Sequence, residues 1–464
     1  MKRRLIPILA LLLALAPMTA HAQSFPLSWT NENGAQFSLL LDEQGQPLTD
    51  PQEYSDIYAI DLDNGWFAAH SVAEFGSGLD AYNLFYALMN AQGQALTEEK
   101  YRGLYAAYAD RIIFMGVESE DGSCPYGLLD ASGNEIVPAM YHTLFPDGGT
   151  GFYATIDDSG DRIPLYHLDH DGNAQDTGYT CSLYLSDNPI GLCPATDPAT
   201  GLTGYLNADA QWAIAPQFAS AEPFHTNFAA VTAPESNEQY GLIDASGAQI
   251  LPCEFDWIMA NRYIIASQYE ARDAQISYVY DRTGTLLFSY NGSVSEYGQY
   301  LCGWPAQMDG MELLDTSGNV LRTLSSSEGY FYGDTSADGT SGTLYLYDAS
   351  DGLTYLMKDA NTPYGEGYAG LTFGYSTGDR IFCLAYAANM VYDSTYEYWY
   401  PEWASGRYGV IDDAGNVVIP LEYQQLSPIG STGLYAFTDS TGHGVLDTSG
   451  NVLYYRSDYL DLVD

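Results

Sequence analysis

Gly374-Tyr375-Ser376-Thr377-Gly378 spells G-x-S-x-G. That spacing places a serine on a strained strand-to-helix turn, where a downstream acid and histidine activate it for acyl transfer. Here the next residues, DRIFCLAYA, read as another strand, and the sole downstream histidine, His443, sits at a hairpin start. Ser376 is therefore expected in a polar hairpin turn. YHLDHDGN brings His167 and His170 beside Asp169 and Asp171, residue types that ligate metals. Gly172 comes too early for a calcium loop, and DLDNG at 61–65 fails in the same way. No catalytic residue, cofactor or specific metal site is expected, only a weak, non-specific attraction of the many acids for divalent cations. Those acids leave a glycosidase-like pair of carboxylates open without locating one, so a carbohydrate-active enzyme stays the alternative to a binding protein.

The segment VYDSTYEYWYPEW, 391–403, is rich in residues that bind rather than react. Read as one strand, it places Tyr392, Tyr396, Tyr398 and Tyr400 on one face and Asp393, Thr395, Glu397 and Trp399 on the other. Such a row is either a wall of the core or an exposed platform, because Tyr and Trp offer large contact area with a polar handle. Trp399 and Trp403 extend it. These six aromatics are the candidate ligand-binding residues.

The elements that must position them are written repeatedly. YGLLDASGNEIVP (126–138) returns as YGLIDASGAQILP (240–252) and YGVIDDAGNVVIP (408–420). An Asp-x-x-Gly step anchors each copy and recurs at Asp42, Asp130, Asp169, Asp244, Asp281, Asp315, Asp412 and Asp447, with Asn at 90 and 207 and a degenerate copy at Asp348. From Asn90 to Asp348 the anchors fall 33 to 40 residues apart. The gap to Asp412 is 64, nearly two periods, so one copy there is expected to have eroded. Asp at the first and Gly at the fourth place are turn preferences, and the β-branched flanks pair as a hairpin. Pro138, Pro216, Pro252 and Pro420 are expected to stop the second strand. The aromatic that follows, as in Tyr141, Phe218, Phe255 and Tyr423, is expected to plug the gap between units. A lone hairpin is not stable in water, so the units must stack. The expectation is an all-β tandem array of about 11–12 units, propeller-like or an open β-solenoid, in one body or two lobes. NPIGLCPATDPATG (188–201) reads as a loop insertion.

The phrase Y-G-[LV]-[LI]-D-x-x-G-x-x-[IV]-[IVL]-P followed by an aromatic resembles the bacterial WG (KWG) repeat, with Tyr126-Gly127, Tyr240-Gly241 and Tyr408-Gly409 in place of Trp-Gly. The resemblance implies an all-β repeat protein, often secreted or surface-associated. It implies no reaction, since the family has no generally assigned catalytic residues.

MKRR, the apolar run Leu5 to Ala16 and the Ala20-His21-Ala22 step form a secretory signal layout over 1–22, leaving 23–464 as the array. The run is too short to span a bilayer and breaks at Pro17. No later stretch is apolar enough to span, so no membrane insertion is expected after cleavage. The net charge is −45, and removal of Lys2, Arg3 and Arg4 makes it about −48. That charge excludes nucleic-acid binding. Six cysteines without a C-x-x-C pair exclude zinc and thioredoxin-like sites. The expected protein is secreted or held at the cell surface, and its partner is an extracellular glycan or protein.

Overall fold

The computed structural model describes residues 24–30, 36–42, 44–50, 53–71, 84–108, 110–118, 122–156, 163–181, 190–225, 227–236, 238–271, 274–297, 299–306, 309–335, 342–377, 380–429 and 433–457. The leader-like segment, residues 188–189 of the expected insertion and Gly378 lie outside them. The described chain is all-β, arranged as a β-propeller. No described helix is long and apolar enough to cross a membrane.

The unit at 220–255 shows how the phrase folds. Ser220–Ala221, Phe228–Thr232, Tyr240–Asp244 and Gln249–Phe255 form one antiparallel sheet in chain order. At its hairpin the Asp244 carboxylate accepts the backbone N–H groups of Ser246 and Ala248, at 2.9 and 3.0 Å. The prolines do not end the last strand. Gln249–Phe255 runs through Pro252, and the register against Tyr240–Asp244 shifts between the Leu242↔Leu251 and Tyr240↔Phe255 pairs. Proline is accommodated because it lies in that bulge, where no ladder donor is required. The bulge also explains the Tyr-Gly step. A Cβ on Gly241 would stand 2.8 Å from the Leu251 carbonyl oxygen and 2.8 Å from Cys253 Sγ. Gly241→Ala is expected to destabilise the protein by about 1 to 3 kcal/mol, read as a lowered denaturant midpoint, because the bulged strand must move. The aromatic after the proline does fill the space between units: Tyr141, Phe255 and Tyr423 are all buried and sit opposite the tyrosines of the Tyr-Gly steps.

The units close on themselves. Eleven apolar clusters occupy the described structure, and each one joins two successive units. In the cluster that matters for closure, Phe25, Leu27, Trp29 and Leu39 of the first unit pack on Val445 and Leu453 of the last. Trp29 stacks on His443 with ring centroids 4.5 Å apart, and a Cβ on Gly45 would meet the Leu453 carbonyl at 2.5 Å. The array is thus a ring, with a core at every junction.

Among the described residues no additional copy stands between Asp348 and Asp412; the unit read at Asp348 has its anchor at residue 358 instead. Strands Gly342–Asp348 and Leu353–Leu356 are joined by the Asp348 turn at one end. The anchor lies at the other end: Lys358 N–H bonds the Thr362 carbonyl at 2.8 Å, as Asp42 bonds Gln46 and Asp412 bonds Asn416. Met357 bridges Pro363 as Leu41 bridges Pro47. This unit therefore carries lysine at the anchor, so the Asp-x-x-Gly pattern does not mark it.

The anchor carboxylates are held in their charged form. For Asp412, burial alone would raise the pKa, yet hydrogen bonds from the Asn416 side chain and backbone and from Ala414, with Arg380 nearby, bring it below the ordinary value. Asp130, Asp244 and Asp447 are lowered too. A folded pKa below the unfolded value, about 3.9, means this stabilisation is complete above that pH and lost as pH falls through the folded value. Thermal melts are expected to drop below about pH 4. Asp412→Asn, which keeps an acceptor as Asn90 and Asn207 do, should cost less than Asp412→Ala, which removes the acceptor of the Ala414 and Asn416 backbone N–H groups at about 1 kcal/mol.

Candidate ligand-binding surface

One unit carries an addition. Between its strands Arg380–Ala387 and Arg407–Asp412, which pair directly, a separate hairpin projects, formed by Met390–Asp393 and Tyr398–Pro401. Its base is fastened by Asn389, whose backbone N–H donates to Ser405 Oγ at 2.9 Å and whose side-chain amide donates to Glu402 at 3.0 Å. A single turn of 3-10 helix, Trp403–Ser405, returns the chain to the sheet. At the tip, Asp393 accepts the backbone N–H of Thr395 at 2.7 Å, and Glu397 takes a positive φ of 56°.

The turn at the tip redistributes the aromatics. A single strand would have placed Tyr392 with Tyr396, Tyr398 and Tyr400, but the chain folds back, so cross-strand partners share a face instead. Tyr392 lies opposite Trp399, with ring centroids 5.2 Å apart, while Tyr398 and Tyr400 lie opposite Asp393 and Val391. Trp399 leans on the Asp348 turn of the preceding unit, where a Cβ on Gly352 would come within 2.2 Å of its Cβ. Trp399 is therefore the foot of the hairpin. Tyr396, Tyr398 and Tyr400 form a continuous ladder on the other face, at centroid spacings of 6.3 and 5.9 Å. Tyr396 is 75% exposed, Tyr398 50% and Trp403 73%, and Trp403 stacks on Tyr386 at 5.9 Å. The arrangement offers flat rings on a fixed support.

The residues read for chemistry are occupied elsewhere. Ser376 lies on strand Gly370–Thr377, opposite Ile381 in a hairpin, and no helix follows it. His443 is buried beneath Trp29. His167 contacts the buried Asp147 carboxylate at 2.8 Å, and His170 lies between Arg111 and Asp110, at 2.8 and 3.1 Å. Among the described residues no three His, Cys, Asp or Glu gather as a metal cluster. Cys181 and Cys193 share one core cluster as free thiols.

The profile of the family described as WG containing repeat matches residues 204–232, 240–263 and 408–438. The chain carries WG repeats. The third match spans parts of two neighbouring units of the ring and follows directly on the hairpin insertion. No curated protein matches the sequence. Among solved structures, a eukaryotic initiation factor is similar over 94% of this chain and 96% of its own, at 9% identity and a TM-score of 0.39. Dipeptidyl peptidase 4 of Porphyromonas gingivalis is similar over 86% and 59%, at 10% identity and 0.33. Prolyl oligopeptidase B of Galerina marginata is similar over 76% and 58%, at 11% identity and 0.26. At such scores nothing of their activities carries over to this ring.

Proposed function

We propose that the protein is an extracellular, non-catalytic WG-repeat scaffold that holds a glycan against its aromatic hairpin. The observation that carries this reading is that the hairpin is surplus to the ring. It forms its own two-stranded sheet and leaves Tyr396, Tyr398 and Trp403 in solvent. Exposed aromatic clusters on rigid supports are characteristic of binding surfaces. The leader read at 1–22 supports an extracytoplasmic site, and the acidic surface suits a soluble protein that avoids anionic polymers. The test incubates purified protein with isolated cell wall, a glycan panel and extracellular proteins, with product analysis alongside. Retention on a glycan without new products supports the reading. Cleavage of a glycan would replace it with an enzyme, and retention on proteins alone would replace the ligand.

A further inference from the structure

At the rim that carries the repeat turns, a cavity of about 480 Å³ opens where the units anchored at 281, 315, 358 and 412 meet. Arg262, Gln299, Thr343, Lys358, Tyr364 and Asp413 contribute to its walls. It lies at the Ile381 end of strand Arg380–Ala387, while the aromatic hairpin leaves the Ala387 end, about 20 Å along the strand. The two surfaces are independent.

Three observations single it out. Lys358 stands at the anchor where the other units have Asp or Asn, so the ring exchanges a negative or neutral group for a positive one at this place alone. The neighbouring Asp359 interacts with its charge but forms no ion pair with it, its carboxylate being turned to the backbone N–H groups of Asn361 and Thr362, both at 2.9 Å. Second, Arg262 lies in the bend two residues before strand Ile264–Ala271, close to the strand starts where other units carry Arg111 and Arg380. Those arginines pair with Asp110 at 2.9 Å and Asp412 at 3.3 Å. Among the described residues Arg262 and Lys358 have no ion-pair partner, although the chain holds 60 acids to 15 bases. Third, Thr343 lines the cavity, is 5% exposed as a residue, and its buried hydroxyl has no hydrogen-bond partner. Buried hydroxyls are rarely left so, and one beside two unpaired cations is matched by an acceptor on a ligand.

We propose that this cavity binds a monoanionic sugar of the uronic acid class, with its carboxylate on Arg262 and Lys358 and its hydroxyls on Thr343, Gln299 and Asp413. Tyr300 and Tyr364 flank the space for the ring. The cavity size is that of a small-molecule site. The strongly negative chain disfavours polyanions, so one charge within a hydroxyl-rich body fits better than a polyphosphate.

Calorimetric titration with D-glucuronate, D-glucose and inorganic phosphate tests this. Glucuronate should bind, more weakly as salt rises, and glucose should not. Lys358→Asp and Arg262→Gln should each weaken binding at least tenfold with the melting temperature held, because Asp fills the anchor of other units and Gln299 fills the place of Arg262 in the next. Lys358→Gln, which removes the charge without adding one, should do the same, and Tyr398→Ala on the distant hairpin should leave binding unchanged. Absence of glucuronate binding, or binding untouched by all three cavity substitutions, overturns the proposal. Phosphate binding as tightly as glucuronate overturns the sugar and leaves a site for charge alone.

Discussion

Truncating Leu39 to alanine is expected to cost about 2 to 5 kcal/mol, the range for a large-to-small change in a packed core. Leu39 is fully buried in the cluster that joins the first unit to the last. The size of the loss is less informative than its location. In a ring, weakening this junction should lower amide protection in His443–Leu446 and Val452–Arg456 as much as in Gln36–Leu41, because the two ends share one core. In an open array the effect would spread only from residue 41 toward 90, and protection near 450 would stay intact. Hydrogen exchange with mass-spectrometric readout separates these outcomes.

The second large effect concerns the hairpin. Tyr398→Ala should weaken ligand retention by about 2 kcal/mol, or roughly thirtyfold, without altering the melt, since the ring stands half-exposed on the free face. Trp399→Ala should act differently. It removes the foot that rests on Gly352, so the hairpin should become susceptible to proteolysis around residues 394–397 while the ring core melts nearly as before. Binding would then fall because the ladder is no longer held rigid. Equal effects of the two substitutions on both retention and proteolysis would mean that the faces are not separate.

Much of this architecture is legible in the chain. The β-branched flanks, the Asp-Gly turns and the buried aromatics Tyr141, Phe255 and Tyr423 all follow from local preferences that the ring then reuses. Four things are not legible, each for a physical reason. Proline reads as a stop because it lacks a donor, yet that matters only where a ladder bond is due, and sequence does not reveal that Pro252 lies in a bulge. The anchor at Lys358 was passed over for Asp348, because the backbone bond from residue 358 to 362 needs no particular side chain. The faces of 391–403 were misassigned for Tyr392 because Ser394 to Glu397 turn the chain without glycine or proline, and Glu397 itself takes the positive φ. Closure was invisible as well, since the contact of Trp29 with His443 joins residues at opposite ends of the sequence.

The shared core between first and last units bears on how copies of this protein treat one another. Repeat arrays with free ends expose an apolar face at each terminus and need capping units to stay apart. Here the two faces that would need caps cover each other, with Phe25, Leu27 and Leu39 against Val445 and Leu453. Separating them would create complementary head and tail surfaces on a single chain, which is the geometry of an open-ended, heterologous assembly. The ring closure therefore removes those complementary end faces from the surface.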